Sequence, residues 1–345
     1  MRNALLIYVL VFGWSTLGHS QDMMFSQVNQ SPMLLNPANT GLMDGWERVA
    51  LQHRNQWVGS NGKYNNTIAS FDLNLMKSES VSGAYIGLGA YFLRDVAGDG
   101  NIGQQSAIVS LSSIIPLGRN GHSISAGLQG GFGSTTLNQS NLVFESQWNG
   151  AEFDQTILSG EQLSNHYSYA DLNAGVSYQF NGGSTSFFGK SDVKFQIGGA
   201  VYHANRPSIN FAAGGESILN RKFVFHTSFW KDILDTDIQF ELDAAQFIQG
   251  KQTATYFGGM VKYKFSDGGN YLGGSSQIGL GLHMRTFDAM VPSVMIKLKG
   301  FRFEVSYDAT VSALRKAQGG GSLELSLSYT NFQDALFKQR RKYRY

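Results

Sequence analysis

Seven histidines, at positions 19, 53, 122, 166, 203, 226 and 283, are the side chains best suited to acid–base or metal chemistry near neutral pH. They are scattered along the chain. Two juxtapositions across neighbouring elements would put a histidine beside a carboxylate or a hydroxyl, His166 with Asp171 and His203 with Ser208, and such a pair is the start of a hydrolytic site. The sequence has no G-x-S-x-G elbow and no H-E-x-x-H pair. Asp95-x-x-x-Asp99-Gly100-Asn101 offers hard oxygen ligands of the kind calcium takes, but without the spacing or terminal Glu of a calcium loop, so a Gly-Asp turn is expected. Gly319-Gly320-Gly321 precedes no helix and cannot cradle a phosphate. The residues therefore predict no enzyme, no cofactor and no metal site.

The remaining candidates are charges on segments of alternating polarity. Arg48, Arg54, Asp72, Glu241, Asp243, Arg302, Glu304 and Asp308 all fall on polar faces and would form an internal charge network. The basic positions Lys262, Lys264, Arg285, Lys297, Lys299 and Arg302 are mixed with acids. They read as lumen lining or headgroup contacts rather than a nucleic-acid groove.

Those faces belong to period-2 segments repeated from about residue 47 to 331. In 301–311, Phe301, Phe303, Val305, Tyr307, Ala309 and Val311 oppose Arg302, Glu304, Ser306, Asp308 and Thr310. In 169–180 and 322–329, Ala, Leu, Val and aromatic residues again take one side. The alternation predicts fourteen strands, near 47–58, 65–76, 82–94, 103–115, 121–134, 167–181, 192–204, 221–231, 237–248, 253–265, 276–286, 289–299, 301–311 and 321–331. Most span 10–14 residues, longer than the ~5–6 of soluble strands and close to the ~9–11 of a tilted membrane strand.

Composition agrees. Charged residues are 15% of the chain against a usual ~25%, while Gly reaches 41, Phe 24, Tyr 15 and Pro only five. Beyond the first dozen residues no apolar run is long enough for a spanning helix of ~20 residues, so a membrane protein of this composition must be a closed barrel. The polar faces carry Gly, Ser, Asn and charge, as a hydrated lumen would. Aromatics near strand ends (Trp57, Tyr91, Tyr178, Phe180, Trp230, Tyr263, Phe265, Tyr329, Phe332) read as interfacial girdles. The expected fold is an all-β, transmembrane, antiparallel up-and-down β-barrel of about 14 strands.

Met1-Arg2, the apolar run Ala4–Phe12 and the small residues Gly18 and Ser20 predict a secretory signal peptide over 1–20. Its removal takes Arg2 and lowers the formal charge of +2 by one, a balance that points to no nucleic-acid partner. With no cysteine, an exported chain has neither disulfide bracing nor thiolate chemistry. Residues 21–46 form a turn-rich leader expected to plug the lumen or line its periplasmic mouth, 47–332 the barrel, and 333–345 a basic tail (Lys338, Arg340, Arg341, Lys342, Arg344). With both termini periplasmic, loops after odd-numbered strands face outward. The two longest, 135–166 and 205–220, fall on that side, although 182–191 and 266–275 are longer than ideal for periplasmic turns.

The leader also carries a pattern. Gln21-Asp22, then Phe25-Ser26-Gln27, then Pro32, Leu35-Asn36-Pro37-Ala38 and Gly41, then Arg48 and Arg54-Asn55-Gln56-Trp57, resembles the PorP/SprF family of outer-membrane proteins associated with type IX secretion and gliding motility in Bacteroidota. The likeness continues in Asp95-Val96-Ala97-Gly98, Ser306-Tyr307-Asp308 and the alternating strand at 319–329. Met23-Met24 and Ser322-Leu323-Glu324 depart from it. The resemblance implies a role in export or surface retention of adhesins with type IX C-terminal sorting domains. It implies such an adhesin, other type IX components and outer-membrane lipid as partners. It marks Phe25, Gln27, Asn36, Pro37, Gly41, Arg48, Arg54, Gln56, Trp57, Asp95 and Gly98 as partner-binding or structural. The alternative is an outer-membrane channel or hydrophobic-solute transporter. Local chemistry explains part of the pattern: Asn36-Pro37 starts a turn and Gly41 can supply a positive φ at its end.

Overall fold

A computed structural model describes residues 24–56, 64–77, 83–98, 102–118, 120–138, 142–161, 165–186, 189–209, 217–266, 275–312 and 321–332, with backbone alone at 183–186 and 189–192. The expected signal peptide, Trp57, Asp99-Gly100-Asn101 and the basic tail lie outside the described residues.

Fourteen strands follow the leader. They are β1 (Glu47–Gln56), β2 (Tyr64–Leu75), β3 (Tyr85–Ala97), β4 (Ile102–Pro116), β5 (His122–Thr136), β6 (His166–Ser186) and β7 (Gly189–Tyr202), then β8 (Lys222–Asp232), β9 (Ile238–Gln249), β10 (Gln252–Ser266), β11 (Ser276–Arg285), β12 (Ala289–Leu298), β13 (Phe301–Thr310) and β14 (Ser322–Thr330). Each pairs antiparallel with its sequence neighbours, and β1 pairs β14 from Arg48↔Thr330 to Gln56↔Ser322, so the sheet closes and has no edge. Closure lets every strand satisfy its backbone polar groups in hydrocarbon.

Period-2 geometry decides what each side chain meets. On β1, Val49 and Leu51 point outward while Ala50, Gln52 and Arg54 are buried inside. On β14, Leu323, Leu325 and Leu327 are exposed and Ser322, Glu324 and Ser326 are buried. The exposed apolar residues form a band around the outside of the barrel.

Connections after odd-numbered strands include the two longest, 137–165 and 203–221, and those after even-numbered strands include the tight Lys299-Gly300 turn. The connection expected over 182–191 is mostly sheet: β6 and β7 stay paired out to Ser186↔Gly189, leaving two residues between them. Two expected girdle aromatics face inward. Tyr91 is buried with Phe25, Met33, Ile68 and Ile108, and Trp230 shares the inward register of His226, Ser228 and Asp232.

Of the two places expected for the leader, the lumen and its periplasmic mouth, the structure puts residues 25–41 in the lumen. The interior there is packed with leader side chains. The leader runs through it, with a turn of helix, α1 (Pro32–Leu35), flanked by 3-10 turns Val28–Gln30 and Pro37–Asn39. Phe25 and Met33 pack on β2, β3 and β4. Val28 and Leu35 pack on Ala200, Tyr202, Val224, Ala245 and Tyr256. Met24 lies beside the carboxyl-terminal end of β1, at the long-loop rim, and Trp46 lies at the short-turn end, where its amide donates to Asn331 O at 2.8 Å.

The leader approaches the wall so closely that inward glycines are required. A Cβ on Gly175 would sit 2.1 Å from Asn36 Oδ1, one on Gly127 2.4 Å from the Pro37 carbonyl, and one on Gly87 2.0 Å from Thr40 O. Gly175→Ala is therefore expected to lower stability by about 1–3 kcal/mol, as overpacking does. Gly83→Ala, where a Cβ meets nothing within 4 Å, is expected to stay within ~0.5 kcal/mol of the parent. Urea unfolding in detergent measures both; equal stability of the two variants would contradict the glycine seat.

Candidate functional site

The site is the joint between leader and barrel wall. Its lower part is built on Asn36-Pro37. Pro32 opens α1, and at Asn36 the backbone turns extended (φ −160°, ψ 126°), as a residue before proline prefers. The Asn36 side chain caps the next turn, its Oδ1 accepting from Ala38 N at 2.9 Å. Its Nδ2 donates to Val176 O at 3.0 Å and Gly199 O at 3.3 Å, and lies 3.1 Å from His226 Nε2. One fully buried amide thus ties the leader to β6, β7 and β8. Thr40 continues the seat, with Oγ1 2.5 Å from Ser110 Oγ and its carbonyl accepting from Ser112 Oγ at 2.6 Å.

Gly41 then leaves the wall at φ +66°, and a Cβ there would stand 2.6 Å from Gly87 Cα. Its amide donates to Asp72 Oδ2 at 2.8 Å, while Arg48 grips the same carboxylate through Nε and Nη2 at 2.9 and 2.7 Å. This two-pronged geometry is the strongest an ion pair takes. Two motif residues, distant in function by sequence alone, are joined by one buried aspartate.

The upper part is built on two buried carboxylates from the last two strands. Glu324 takes the successive amides of Ser26 and Gln27 on its two oxygens, at 2.8 and 2.7 Å, and Gln52 Nε2 at 2.6 Å. Asp308 accepts from Ser26 Oγ at 2.7 Å and stands between the guanidinium groups of Arg54 (2.8 Å) and Arg285 (3.2 Å). Arg54 also donates to the Met24 carbonyl, and Arg285 pairs with Asp288. Gln27 reaches Ser306 Oγ at 2.9 Å, and Phe25 is buried against β2, β3 and β4.

Between the two parts, Gln30 Nε2 donates to Glu304 at 2.8 Å, and Glu304 pairs with Arg302. Glu241 pairs with Lys262. Gln30, Glu241, Arg302 and Glu304, with Asn29, Asp243, Tyr256 and His283, border a void of about 10 Å³, the size of one water. The eight charges expected on the lumen side are all there, but as separate groups whose gaps the leader's amides complete. Sequence reasoning missed Glu324, Gln52 and the inward glycines; the signal for Glu324 was its place on the polar face of an otherwise leucine-rich strand.

The other expected pairings change. His203 Nδ1 meets Asp171 at 2.8 Å, whereas Ser208 bridges to Ile218, and His166 lies 3.1 Å from Ser134 Oγ. Asp95 accepts from Asn66 Nδ2 at 2.6 Å near the end of β3, and Gly98 turns the chain at φ +66°. Gln56 ends β1 opposite Tyr64 and Ser322. Among the described residues no cluster of three or more His, Asp or Glu is arranged to hold a metal ion.

Asp72→Asn removes the charge that Arg48 and the Gly41 amide share. It is expected to cost roughly 3 kcal/mol, the low end for breaking a buried pair, because Arg48 keeps some exposure. It should also make the leader cleavable by added protease. A variant as stable and as protease-resistant as the parent would remove Asp72 from the joint.

No curated protein sequence matches the chain. The fold resembles solved outer-membrane barrels at low identity. A structure described as the CymD monoaromatic hydrocarbon channel is 13% identical, with 90% of this chain and 94% of that chain covered and a TM-score of 0.46. The toluene transporter TodX of P. putida is 10% identical over 88% and 94%, with a TM-score of 0.42. The translocator domain of the autotransporter NalP from Neisseria meningitidis is 11% identical over 83% and 89%, with a TM-score of 0.39. The family model for the type IX secretion system membrane protein PorP/SprF matches residues 17–329, the leader joint and the barrel together, and the chain belongs to that family.

Proposed function

We propose that this barrel sits in the outer membrane and supports type IX secretion by helping to export, or to hold at the cell surface, adhesins with C-terminal sorting domains. Its partners are such an adhesin, other components of the secretion machine and outer-membrane lipid. The observation that carries this reading is the occupied lumen. A leader mostly buried from Phe25 to Gly41 and tied to several strands of the wall occupies lumen space that small solutes would otherwise cross. The parts of the protein free to meet a large exported partner are its loops, its rims and its lipid-facing band.

Deleting the gene is expected to abolish surface display of a particular adhesin while small-solute uptake continues. The purified barrel in planar bilayers should be silent. Normal adhesin display in the deletion strain, together with stable solute-selective conductance of the intact protein, would replace this reading with the channel.

The orientation that goes with it puts the short turns and the carboxyl-terminal tail in the periplasm and the long loops outside. The chain has no native cysteine, so single cysteines report sidedness cleanly. On intact cells a membrane-impermeant maleimide should label Leu158→Cys, in the longest loop, and leave Asp44→Cys, at the short-turn mouth, unlabelled. Labelling in the opposite sense would invert the topology.

A further inference from the structure

The longest connection, between β5 and β6, is built by its own hydrogen bonds. Gln147 takes the central place: its Oε1 accepts from Phe144 N at 3.0 Å and its Nε2 donates to Ile157 O at 2.9 Å. Asn149 Oδ1 accepts the amides of Ala151 and Glu152, both at 2.9 Å, and so folds a tight Asn-Gly turn. Trp148 and Phe153 bridge across that turn, their rings edge to face with centroids 5.0 Å apart. Ser146 Oγ ties the first limb to Ser159 O at 2.8 Å.

This scaffold presents apolar groups instead of hiding them. Trp148 is 48% exposed, Phe153 53% and Leu158 92%. The same segment carries Glu145, Glu152, Asp154 and Glu161, and residues 142–161 contain no lysine, arginine or histidine. Hydrogen bonds from Thr156 hold the Asp154 carboxyl below its usual range. A fixed aromatic pair has little side-chain entropy left to lose on burial, and exposed aromatic anchors inside a charged rim are the anatomy of a protein contact. A single-sign rim selects a partner of the opposite sign and speeds its encounter.

We propose that residues 142–161 dock the sorting domain of the exported adhesin, through an apolar pocket on that domain ringed by lysine or arginine side chains. The proposal rests on the secretion reading above and adds to it the place and the chemistry of contact. The anionic rim argues against an anionic lipid surface as the occupant, and its uniform sign against a second copy of the same loop.

The test uses the full barrel in detergent and, as probe, the purified sorting domain of the adhesin whose display the deletion strain loses. Trp148→Ala/Phe153→Ala is expected to weaken binding tenfold or more, the scale of lost anchor residues. Glu145→Gln/Glu152→Gln/Glu161→Gln, which spares the hydrogen bonds that shape the loop, should slow association and flatten its salt dependence. An unchanged heat-shifted gel mobility shows that each variant barrel is folded. Equal binding by parent and both variants overturns the docking site and leaves the secretion reading standing. A probe that does not bind the parent overturns it too. Adhesin display that never depended on the barrel brings down the secretion reading itself.

Discussion

Fourteen strands enclose more space than their own inward side chains fill, a size between the packed eight-stranded barrels and the open channels of ~16–18. The chain meets that constraint with its own leader. Everything distinctive about the inner wall follows from it. Where the leader presses outward from Asn36 to Thr40, the wall has glycine at 87, 127 and 175. Where the leader offers apolar side chains, the wall offers Ile68, Tyr91, Ile108, Tyr202, Val224 and Tyr256. Where it offers backbone amides, the wall offers carboxylates.

The carboxylates explain why the leader is specific and not mere filling. A buried charge is costly unless paired and hydrogen-bonded. Asp72 and Asp308 have arginines, yet each also takes a leader group. Glu324 has no cation within 4 Å among the described residues and relies on Ser26, Gln27 and Gln52. An unrelated peptide of similar bulk would fill the volume and leave these oxygens unsatisfied. The leader is therefore the complement of this wall in hydrogen-bond pattern as well as in shape.

Much of this was legible in the sequence. All fourteen strands stand where alternation puts them, because lipid on one face and protein on the other impose period 2 at nearly every step. The predicted inward charges are inward for the same reason. Tyr91 and Trp230 misled because position near a strand end says nothing about which face a residue takes; their parity with Gly89 and Ser228 did. Glycine and serine on the polar faces were ambiguous in kind: they suit water, and they equally suit a polypeptide pressed against the wall. Only the contacts separate the two. Asn36, Pro37 and Gly41 could be recognised as a turn from local chemistry, but their partners on β2, β6, β7 and β8 lie far along the chain, where no short-range pattern reaches.

The upper joint bears on how the barrel closes. Gln52 and Arg54 come from the first strand, Asp308 and Glu324 from the last two, and Arg54 lies opposite Glu324 in the β1–β14 register. Ser26 and Gln27 bind across that seam, bonding to β13 and β14 while Gln52 returns a hydrogen bond to the Gln27 carbonyl at 3.1 Å. A seam closed over an empty lumen would leave the buried Glu324 without the two leader amides that hydrogen-bond it, and Asp308 without the Ser26 hydroxyl. With the leader seated, the same closure satisfies them. The seated leader thus satisfies buried groups on both sides of the β1–β14 seam, and the motif spans the leader and β1 that meet there. The residues that resemble the family most closely, from Phe25 to Arg54, are those that meet at this joint.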